Sequence, residues 1–259
     1  GIDGSKGLFD YFRKLLRYIA LIRMPGCISP TDNELFMHLA YSMSLKSTCI
    51  SRKVGAIIVG PKGYIYGAGW NDVSSGKVGC GLRHSLDYIN KEMEFPRTTD
   101  KYSMEFKDYM ETTTNRYICY KDVMSKCEIV RKLDKMNVKQ INDIKGKLSV
   151  KRLEFCRALH AEENALLQVA NIGGNPVSNG AIYTTTFPCE LCIKKLYQTG
   201  IKTIYYTEPY RNSISEEVFL EDGSRQIDII PFEGVKSSCY YKLFKPIMDK
   251  KDYQFIKEI

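Results

Sequence analysis

Several features typical of membrane and secreted proteins are missing from this sequence. It has no run of about 18 or more apolar residues, so no transmembrane helix is predicted. Its first residues do not show the basic, apolar and small-residue order of a signal peptide. The phosphate-binding pattern Gly-x-x-x-x-Gly-Lys-[Ser/Thr] is also absent. We therefore expect a cytoplasmic protein without a membrane partner.

Histidine is scarce, and cysteine is present in an odd number. The chain of 259 residues has 3 histidines and 9 cysteines. An odd number of cysteines without a signal peptide argues against a disulfide framework. One pair of cysteines has the Cys-x-x-Cys spacing, whereas a zinc ribbon needs two such pairs. We expect reduced thiols, some of which bind a metal.

The overall composition is that of a globular protein with an excess of positive charge. The apolar fraction is 44% and the formal net charge is +8. The charge favours a phosphate-bearing partner, either a free nucleotide or a nucleic acid. Lysines that only solvate the surface would explain the same charge, so both interpretations remain open.

Hydrophobic patterns divide the chain into a helical start and one larger domain. Residues 1–28 predict an amphipathic N-terminal helix, which either packs on the domain or connects it to a preceding one. Residues 29–259 predict a single domain. An insertion is predicted at about residues 73–150, where sustained periodicity is lost.

Strands and helices are predicted in the rest of the domain. Predicted strands lie at 54–59, 64–69, 181–184, 202–206 and 227–231, and predicted helices at 31–45, 159–172 and 189–199. Thr31 and Glu34 have the spacing of a capping box at the start of the first of these helices. The strand–helix–strand order after residue 180 predicts a parallel strand pair with a right-handed crossover.

One histidine and two cysteines form a candidate metal site. His160 lies at the predicted start of one helix, and Cys189 and Cys192 lie at the start of the next. Residues three apart share one face of a helical turn, so both sulfurs can reach one ion. Helix N-termini also favour thiolates over thiols. One imidazole and two thiolates predict a zinc site with one open position, as catalysis needs.

Glu162, two residues after His160, is the candidate catalytic group. It is close to the predicted metal without being needed as a ligand. A carboxylate there can take a proton from the attacking water, then deliver protons to the ring nitrogen and the leaving ammonia of a cytosine or adenine base. A redox-active Cys-x-x-Cys and a histidine satisfied in the core are the alternatives, but neither explains the combined motif.

Longer stretches around these residues are similar to a known family. Residues 157–165 read Arg-Ala-Leu-His-Ala-Glu-Glu-Asn-Ala, and residues 186–192 read Thr-Phe-Pro-Cys-Glu-Leu-Cys. Together with Gln-Thr-Gly-Ile-Lys at 198–202, they resemble the cytidine deaminase superfamily. The segments Ser-Thr-Cys, Arg-Lys-Val-Gly-Ala and Gly-Trp-Asn between residues 47 and 71 resemble its deoxycytidylate (dCMP) deaminase branch, in particular the bacterial anti-phage dCTP/dCMP deaminases.

The resemblance implies a fold, an activity and a set of partners. The fold is of the α/β class, with three α/β/α layers and a central mixed five-stranded sheet. The activity is hydrolytic deamination of a free deoxycytidine nucleotide, dCMP or dCTP, with Zn²⁺ as cofactor. A homo-oligomer (hexamer, tetramer or dimer) is expected. An upstream P-loop kinase-like domain, a regulatory nucleotide or RNA, and a role in depleting deoxycytidine nucleotides during phage infection are further expectations.

The resemblance also implies residues that bind the substrate. Asn71 would contact the sugar, and Ala161 would also contact the substrate. Arg52 and Tyr210 are candidates for phosphate or ring contacts, with an ordinary surface arginine as the alternative for Arg52. The family's usual Tyr-Asn-Gly is Trp-Asn-Asp at residues 70–72, which leaves the choice between a monophosphate and a triphosphate open.

A second, structural zinc is present in some phage-type members of the family. Cys49 and Cys80 stand where two of its cysteine ligands fall, and Cys156 is a further candidate ligand. Other residues that could complete the site are His84, Cys119 and Cys127. Buried free cysteines are the alternative.

Two other functions remain open at this point. A polynucleotide deaminase, acting on tRNA adenosine or single-stranded cytosine, suits the positive charge but needs an open groove for flanking nucleotides. A non-catalytic zinc module needs a closed site with four ligands and has no use for Glu162. The number of metal ligands and the shape of the cavity distinguish these functions.

Overall fold

The computed structural model describes residues 4–89, 103–113, 117–133, 156–173, 176–209 and 225–246. Within these ranges, no helix combines the length and the hydropathy that a membrane crossing requires. The helices are α1 (Gly4–Arg23), α2 (Asp32–Leu45), α3 (Ser85–Ile89), α4 (Ser103–Thr112), α5 (Tyr120–Leu133), α6 (Ala161–Ile172), α7 (Glu190–Gln198) and α8 (Ser238–Phe244). The strands are β1 (Gly55–Val59), β2 (Ile65–Trp70), β3 (Asp72–Val73), β4 (Ala158–Leu159), β5 (Ala181–Thr186), β6 (Thr203–Glu208) and β7 (Asp228–Pro231).

A five-stranded sheet forms the centre of the domain, in the order β2-β1-β5-β6-β7. Strand β1 pairs antiparallel with β2 and with β5. Strands β5, β6 and β7 run parallel to one another. Helix α7 connects β5 to β6, in agreement with the predicted strand–helix–strand unit. The prediction of a mixed five-stranded sheet is therefore confirmed.

Helices cover both faces of this sheet. All of β1 is buried, and its alternate residues belong to different clusters: Ala56 and Ile58 to one, Ile57 and Val59 to another. The first cluster includes residues of α6 and α7, and the second includes residues of α2. A strand buried on both faces has to be apolar throughout, which explains the continuous apolar run from residue 54 to residue 59. The arrangement has the three α/β/α layers of the predicted fold class.

Helix α2 begins with the predicted capping box. The Thr31 hydroxyl accepts a hydrogen bond from the Glu34 backbone N–H at 3.3 Å, and the Glu34 carboxylate accepts one from the Thr31 backbone N–H at 2.8 Å. These bonds satisfy backbone groups that a helix start leaves without partners. The start of α2 is therefore correctly placed by the sequence alone.

The predicted insertion contains three described helices, α3, α4 and α5. Buried side chains of α4 and α5 form a cluster of their own with residues just before α5: Phe106, Met110, Ile118, Tyr120, Val123, Met124 and Cys127. Strand β3 at the beginning of the segment pairs antiparallel with β4 at its end. The segment thus leaves the domain and returns to it at one place, which fits an insertion. The division of the chain into domains remains a prediction.

Candidate active site

Three side chains from two helix starts meet in a candidate metal group. His160 and Cys189 are the N-caps of α6 and α7, and Cys192 lies in the first turn of α7. His160 Nδ1 lies 3.3 Å from the Cys189 sulfur and 3.4 Å from the Cys192 sulfur. All three ligand atoms lie within 4.8 Å of one another. The structure therefore brings together the three residues that the sequence predicted as ligands.

The geometry of this group fits a zinc ion. Zinc–nitrogen bonds of ~2.1 Å and zinc–sulfur bonds of ~2.3 Å at a tetrahedral angle imply nitrogen–sulfur separations of about 3.6 Å. The observed separations of 3.3 and 3.4 Å are close to this value. Among the described residues the group offers three ligands, which leaves a fourth tetrahedral position for water or substrate.

The electrostatics of the group favour a cation. A hydrogen bond with the Cys192 thiol, together with His160, lowers the pKa of Cys189 to about 4, although burial opposes this. The same contact and burial raise the pKa of Cys192 well above its usual value. The hydrogen bond with Cys189 raises the pKa of His160 to about 9. These shifts favour a thiolate at Cys189, and a bound cation would favour ionisation of the second thiol.

Glu162 lies beside this group in a buried position. Its side chain is 4% exposed, and burial raises the pKa of its carboxyl to about 7. Its Oε2 accepts a hydrogen bond from the Cys192 thiol at 3.6 Å. Glu162 is not a member of the group of three ligand atoms. It is therefore a carboxyl next to the metal position, as the sequence predicted.

Glu163 links the two helices that carry the metal ligands. Its Oε2 accepts a hydrogen bond from the His160 backbone N–H at 2.8 Å, and its Oε1 forms an ion pair with Lys195 of α7. These contacts lower the pKa of Glu163 despite its burial. Glu163 therefore helps to hold α6 and α7 in the relative position that the ligands require.

Close packing of α6 on β2 sets the position of Glu162. A Cβ atom on Gly69 would lie 2.1 Å from the Ala161 carbonyl oxygen and 2.4 Å from the Ala165 nitrogen. The Asn164 side chain donates a hydrogen bond to the Trp70 carbonyl at 2.8 Å. Because only glycine permits this approach, Gly69 lets the start of α6 lie against the end of β2.

A cavity of about 260 Å³ lies beside the metal group. His160, Cys189 and Glu162 line it, together with Asn71, which follows β2, and Lys121 of the insertion. Three of the predicted substrate residues also line this cavity: Arg52, Asn71 and Ala161. The structure thus brings most of the predicted site to one place. Tyr210 lies outside the described residues.

The Asn71 side chain is buried and held by the segment before β1. Its Oδ1 accepts hydrogen bonds from the Ser47 hydroxyl at 2.9 Å and from the Val54 backbone N–H at 2.7 Å. Its Nδ2 donates to the Arg52 carbonyl at 2.7 Å. These bonds use the amide oxygen and one of the two amide hydrogens. Asn71 therefore has a structural role in this wall of the cavity. Its second amide hydrogen is not used by these bonds.

Arg52 and Ala161 differ in exposure. The Arg52 side chain is 47% exposed, and its guanidinium lies 3.9 Å from the Glu208 carboxylate. Ala161 is fully buried as the first residue of α6, where backbone N–H groups have no partner within the helix. Arg52 thus supplies a solvent-accessible charge at the cavity, whereas Ala161 can supply a buried backbone donor.

Lys121 is a cavity residue that the sequence did not reveal. It lies in the first turn of α5, in the predicted insertion, and lines the cavity with a side chain that is 27% exposed. Burial alone would lower the pKa of Lys121. Electrostatic attraction outweighs burial and raises this pKa, and it comes from Asp122 and from the Cys119 and Cys156 side chains. Lys121 is therefore a cation at neutral pH. Its position depends on how the insertion folds back onto the domain. The sequence around residue 121 contains no pattern that predicts this path.

The residues of the predicted second zinc site do not form a metal group in this structure. Within the described ranges, the His160 group is the one whose three ligand atoms lie within 4.8 Å of one another. Cys80 is buried, and burial raises the pKa of its thiol. Cys49 and Cys156 are partly buried and line the cavity. After burial, the nearby Cys49 and Cys156 thiols also raise the pKa of Cys80, so these three cysteines lie in one neighbourhood and the second zinc remains a prediction.

The fold and the three-ligand group are those of a metal-binding α/β domain, and a family comparison agrees. The family model "Cytidine and deoxycytidylate deaminase zinc-binding region" matches residues 30–208. This match covers more than half of the chain, so the chain belongs to the cytidine and deoxycytidylate deaminase family. The family is zinc-binding, and the His160, Cys189 and Cys192 group is able to bind such a metal.

Similar proteins support the deoxycytidylate deaminase branch. The deoxycytidylate deaminase of Enterobacteria phage T2 is 26% identical over 209 residues, which cover 78% of this chain and 96% of the phage protein. ComE operon protein 2 of Bacillus subtilis is 43% identical over 68 residues, which cover 26% of this chain and 35% of that protein. The chain thus spans about a third of the Bacillus protein but nearly all of the phage protein.

A solved structure with some similarity is the dCMP deaminase from the cyanophage S-TIM5 in complex with dCMP and dUMP. It is 22% identical to this chain, with a TM-score of 0.45. The match covers 79% of this chain and 99% of the cyanophage protein.

Proposed function

We propose that this chain deaminates a deoxycytidine nucleotide, dCMP or dCTP, to the deoxyuridine nucleotide and ammonia. The observation that carries the proposal is the buried Glu162 carboxyl between a three-ligand metal group and a cavity of about 260 Å³. A structural zinc site has no use for such a carboxyl or for an open fourth position. Membership of the deaminase family supports the same reaction.

The protein's own side chains account for the proton transfers. Deamination replaces the C4 amino group of cytosine with an oxygen atom from water and releases ammonia. Glu162 accepts a proton from the attacking water and passes it to the neighbouring ring nitrogen. It then takes the second proton of that water and delivers it to the departing amine. When bound, zinc makes water acidic enough to attack at neutral pH.

Other residues would bind and orient the substrate. The backbone N–H of Ala161, at the start of α6, can donate to the base in a position that excludes water. Asn71 can offer its second amide hydrogen to the sugar, since its amide oxygen already accepts two bonds. The charges of Arg52 and Lys121 at the same cavity favour a phosphate group. We therefore infer that the substrate is a nucleotide and not a free base.

Polynucleotide deamination is less well supported. The cavity has a volume of about 260 Å³, and Lys121 of the insertion forms part of its lining. A strand with flanking nucleotides needs an open groove. The net charge of +8 is the one observation that favours a polynucleotide. We therefore propose a free nucleotide.

A role in depleting deoxycytidine nucleotides during phage infection is a further proposal. It follows from the activity, because conversion of dCMP or dCTP to the deoxyuridine nucleotide removes a DNA precursor. The resemblance of the segments between residues 47 and 71 to the dCMP deaminase branch, to which the anti-phage enzymes belong, motivates it. Deoxycytidine nucleotide pools in infected cells that express the wild type or Glu162→Gln would test this role.

A panel of substrates tests the proposed activity. Zinc-loaded protein is incubated with dCMP, dCTP, deoxycytidine and a cytosine-containing oligonucleotide, and ammonia release is measured. Turnover of dCMP or dCTP that exceeds turnover of deoxycytidine supports the proposal and gives the phosphate preference. Turnover of the oligonucleotide alone would overturn it. Absence of turnover with all four substrates, in protein that retains zinc, would also contradict it.

A further inference from the structure

We propose that α1 is the contact surface for a second copy of this chain, paired antiparallel with the same helix. One side of α1 bears seven large apolar side chains that are 43 to 77% exposed. These residues form the apolar face of α1: Phe9, Tyr11, Phe12, Leu15, Leu16, Ile19 and Ile22. At 100° of rotation per residue they occupy an arc of roughly 160°. Leu21 lies outside this arc and is fully buried against the domain.

The opposite side of α1 is attached to the domain by charged groups. Arg17 donates two hydrogen bonds to the Glu34 carboxylate, at 2.9 and 2.5 Å, and Glu34 is 1% exposed. Lys14 forms an ion pair with Glu233 at 2.6 Å. These contacts orient the helix with its charged side inward and its apolar face toward solvent. This is the reverse of an ordinary surface helix, so the apolar face is available to a partner.

The size of the apolar face suits a protein–protein interface. The seven side chains together expose on the order of 800 Å², which is about what one partner contributes to an interface of standard size. Monomeric proteins rarely leave a contiguous apolar patch this large uncovered. The face is therefore large enough to hold a dimer together.

The spacing of the face indicates that its partner is a helix. Phe12, Leu15, Ile19 and Ile22 follow one another at steps of three, four and three residues, the repeat of a helix–helix seam. A second α1 that runs antiparallel about the midpoint offers matching positions. Phe9 then lies at the height of Ile22 of the second helix, Phe12 at the height of Ile19, and Leu15 at the height of Leu16. A parallel pair would instead place Arg13 and Arg23 beside their own copies, where like charges repel.

One observation separates this surface from the catalytic one. Helix α1 lies outside residues 30–208, so the surface is not part of what the family model matches. Lys14 and Arg17 pair with carboxylates, whereas Arg13 and Arg23 are exposed, so a vesicle experiment is needed to separate a protein partner from a lipid surface. The pairing is independent of the proposed catalytic activity.

Measurement of molar mass by light scattering tests the proposal. The double substitution Phe12→Ser and Ile19→Ser is expected to lower the molar mass of the assembly twofold at micromolar concentration. Ile172→Ser removes an equally exposed apolar residue from α6 and should leave the mass unchanged. An unchanged mass for the double variant, or a wild-type protein that is monomeric, would overturn the proposal.

A cross-link tests the antiparallel arrangement without removing most of the face. Cys27 and Cys239 are exposed and are first replaced by serine. In that background, Leu16→Cys is expected to give a disulfide-linked dimer on mild oxidation. Ile22→Cys should give none, because the two copies of residue 22 would lie about 20 Å apart along the helices. Equal cross-linking at both positions would contradict the antiparallel pair.

Vesicles test the membrane alternative directly. The wild type is mixed with vesicles of phosphatidylcholine and phosphatidylserine and sedimented. Protein that stays in the supernatant agrees with the proposal. Sedimentation that the Phe12→Ser and Ile19→Ser substitutions abolish, together with a monomeric wild type, would assign the face to a lipid surface and overturn the pairing.

Discussion

The Glu162 carboxylate accepts a hydrogen bond from the Cys192 thiol, across 3.6 Å between Oε2 and Sγ. Both side chains are buried, Glu162 being 4% and Cys192 1% exposed. A metal ligand and a proton carrier are thus in contact without sharing the ligand role. This separation of roles allows each residue to be tested by a different measurement.

Glu162→Gln should retain zinc but lose most of its activity. Glutamine has nearly the same shape and cannot carry the proton, so kcat for dCMP should fall by about 10²–10⁴-fold. Bound zinc, measured by atomic absorption, should remain near one per chain. Glu111→Gln, at an exposed carboxylate of α4 outside the cavity lining, is the control. Retention of more than about a tenth of the wild-type kcat would remove Glu162 from the role of proton carrier.

Cys192→Ser should lose the catalytic zinc. A serine hydroxyl does not ionise at neutral pH and replaces the buried Sγ that lies 3.4 Å from His160 Nδ1. Bound zinc should fall to a small fraction of the wild-type content after dialysis against a weak chelator. Cys239→Ser, at an exposed cysteine, should keep its zinc. Full zinc occupancy in Cys192→Ser would show that the ligand set is different.

Lys121→Gln should weaken recognition of phosphate. Loss of one charged contact to phosphate corresponds to a rise in KM for dCMP of about tenfold or more. The kcat/KM for deoxycytidine should stay within about twofold, since that substrate has no phosphate. Lys126→Gln, on the same helix but outside the cavity lining, is the control. Equal losses with both substrates would mean that Lys121 only supports the cavity wall.

Asn71→Ala should lower stability as well as activity. The substitution leaves the Val54 backbone N–H and the Arg52 carbonyl without their partner, at a cost of about 1–3 kcal/mol in the free energy of unfolding. Urea denaturation measures this change. If Asn71 also binds the sugar, kcat/KM for dCMP should fall further than the kcat/KM for free cytosine. A variant with wild-type stability would contradict the role of these hydrogen bonds.

Glu34 should make the stability of the protein sensitive to acid. Burial alone would raise its pKa, but hydrogen bonds from Arg17, Thr31 and Val235 outweigh burial and lower it. A pKa that is lower in the folded state than in the unfolded state stabilises the fold above the unfolded value. That stability is present above about pH 4.5 and is lost as pH falls through the folded pKa.

Glu34→Gln is the variant that tests this pH dependence. At pH 7 the free energy of unfolding should fall by about 2 kcal/mol or more, because Arg17 loses its charged partner. As pH falls below the folded pKa of Glu34, the variant and the wild type should become similar. Glu111→Gln, in an exposed pair with Lys107, should change the pH profile little. Parallel profiles for Glu34→Gln and the wild type would show that the Glu34 carboxylate does not contribute this stability.

The sequence alone determined the parts of the site that lie close together along the chain. Cys189 and Cys192 share a helical turn, and His160 and Glu162 share a helix start, so local periodicity was enough to predict them. The strand–helix–strand pattern between residues 181 and 208 likewise predicted the parallel half of the sheet. In each case the backbone hydrogen bonds and side-chain spacing act over a few residues.

Only the tertiary structure decided which distant residues join these. Lys121 reaches the cavity because the insertion leaves at β3 and returns at β4, and no pattern near residue 121 reports that path. The amphipathic pattern of α1 predicted a helix correctly but not its orientation. The side that bears Lys14 and Arg17 faces the domain because two carboxylates lie beside it. Glu34 is buried and Glu233 is exposed, and the two are far apart in the chain. Periodicity shows that a helix has two faces, whereas the groups packed against it decide which face turns inward.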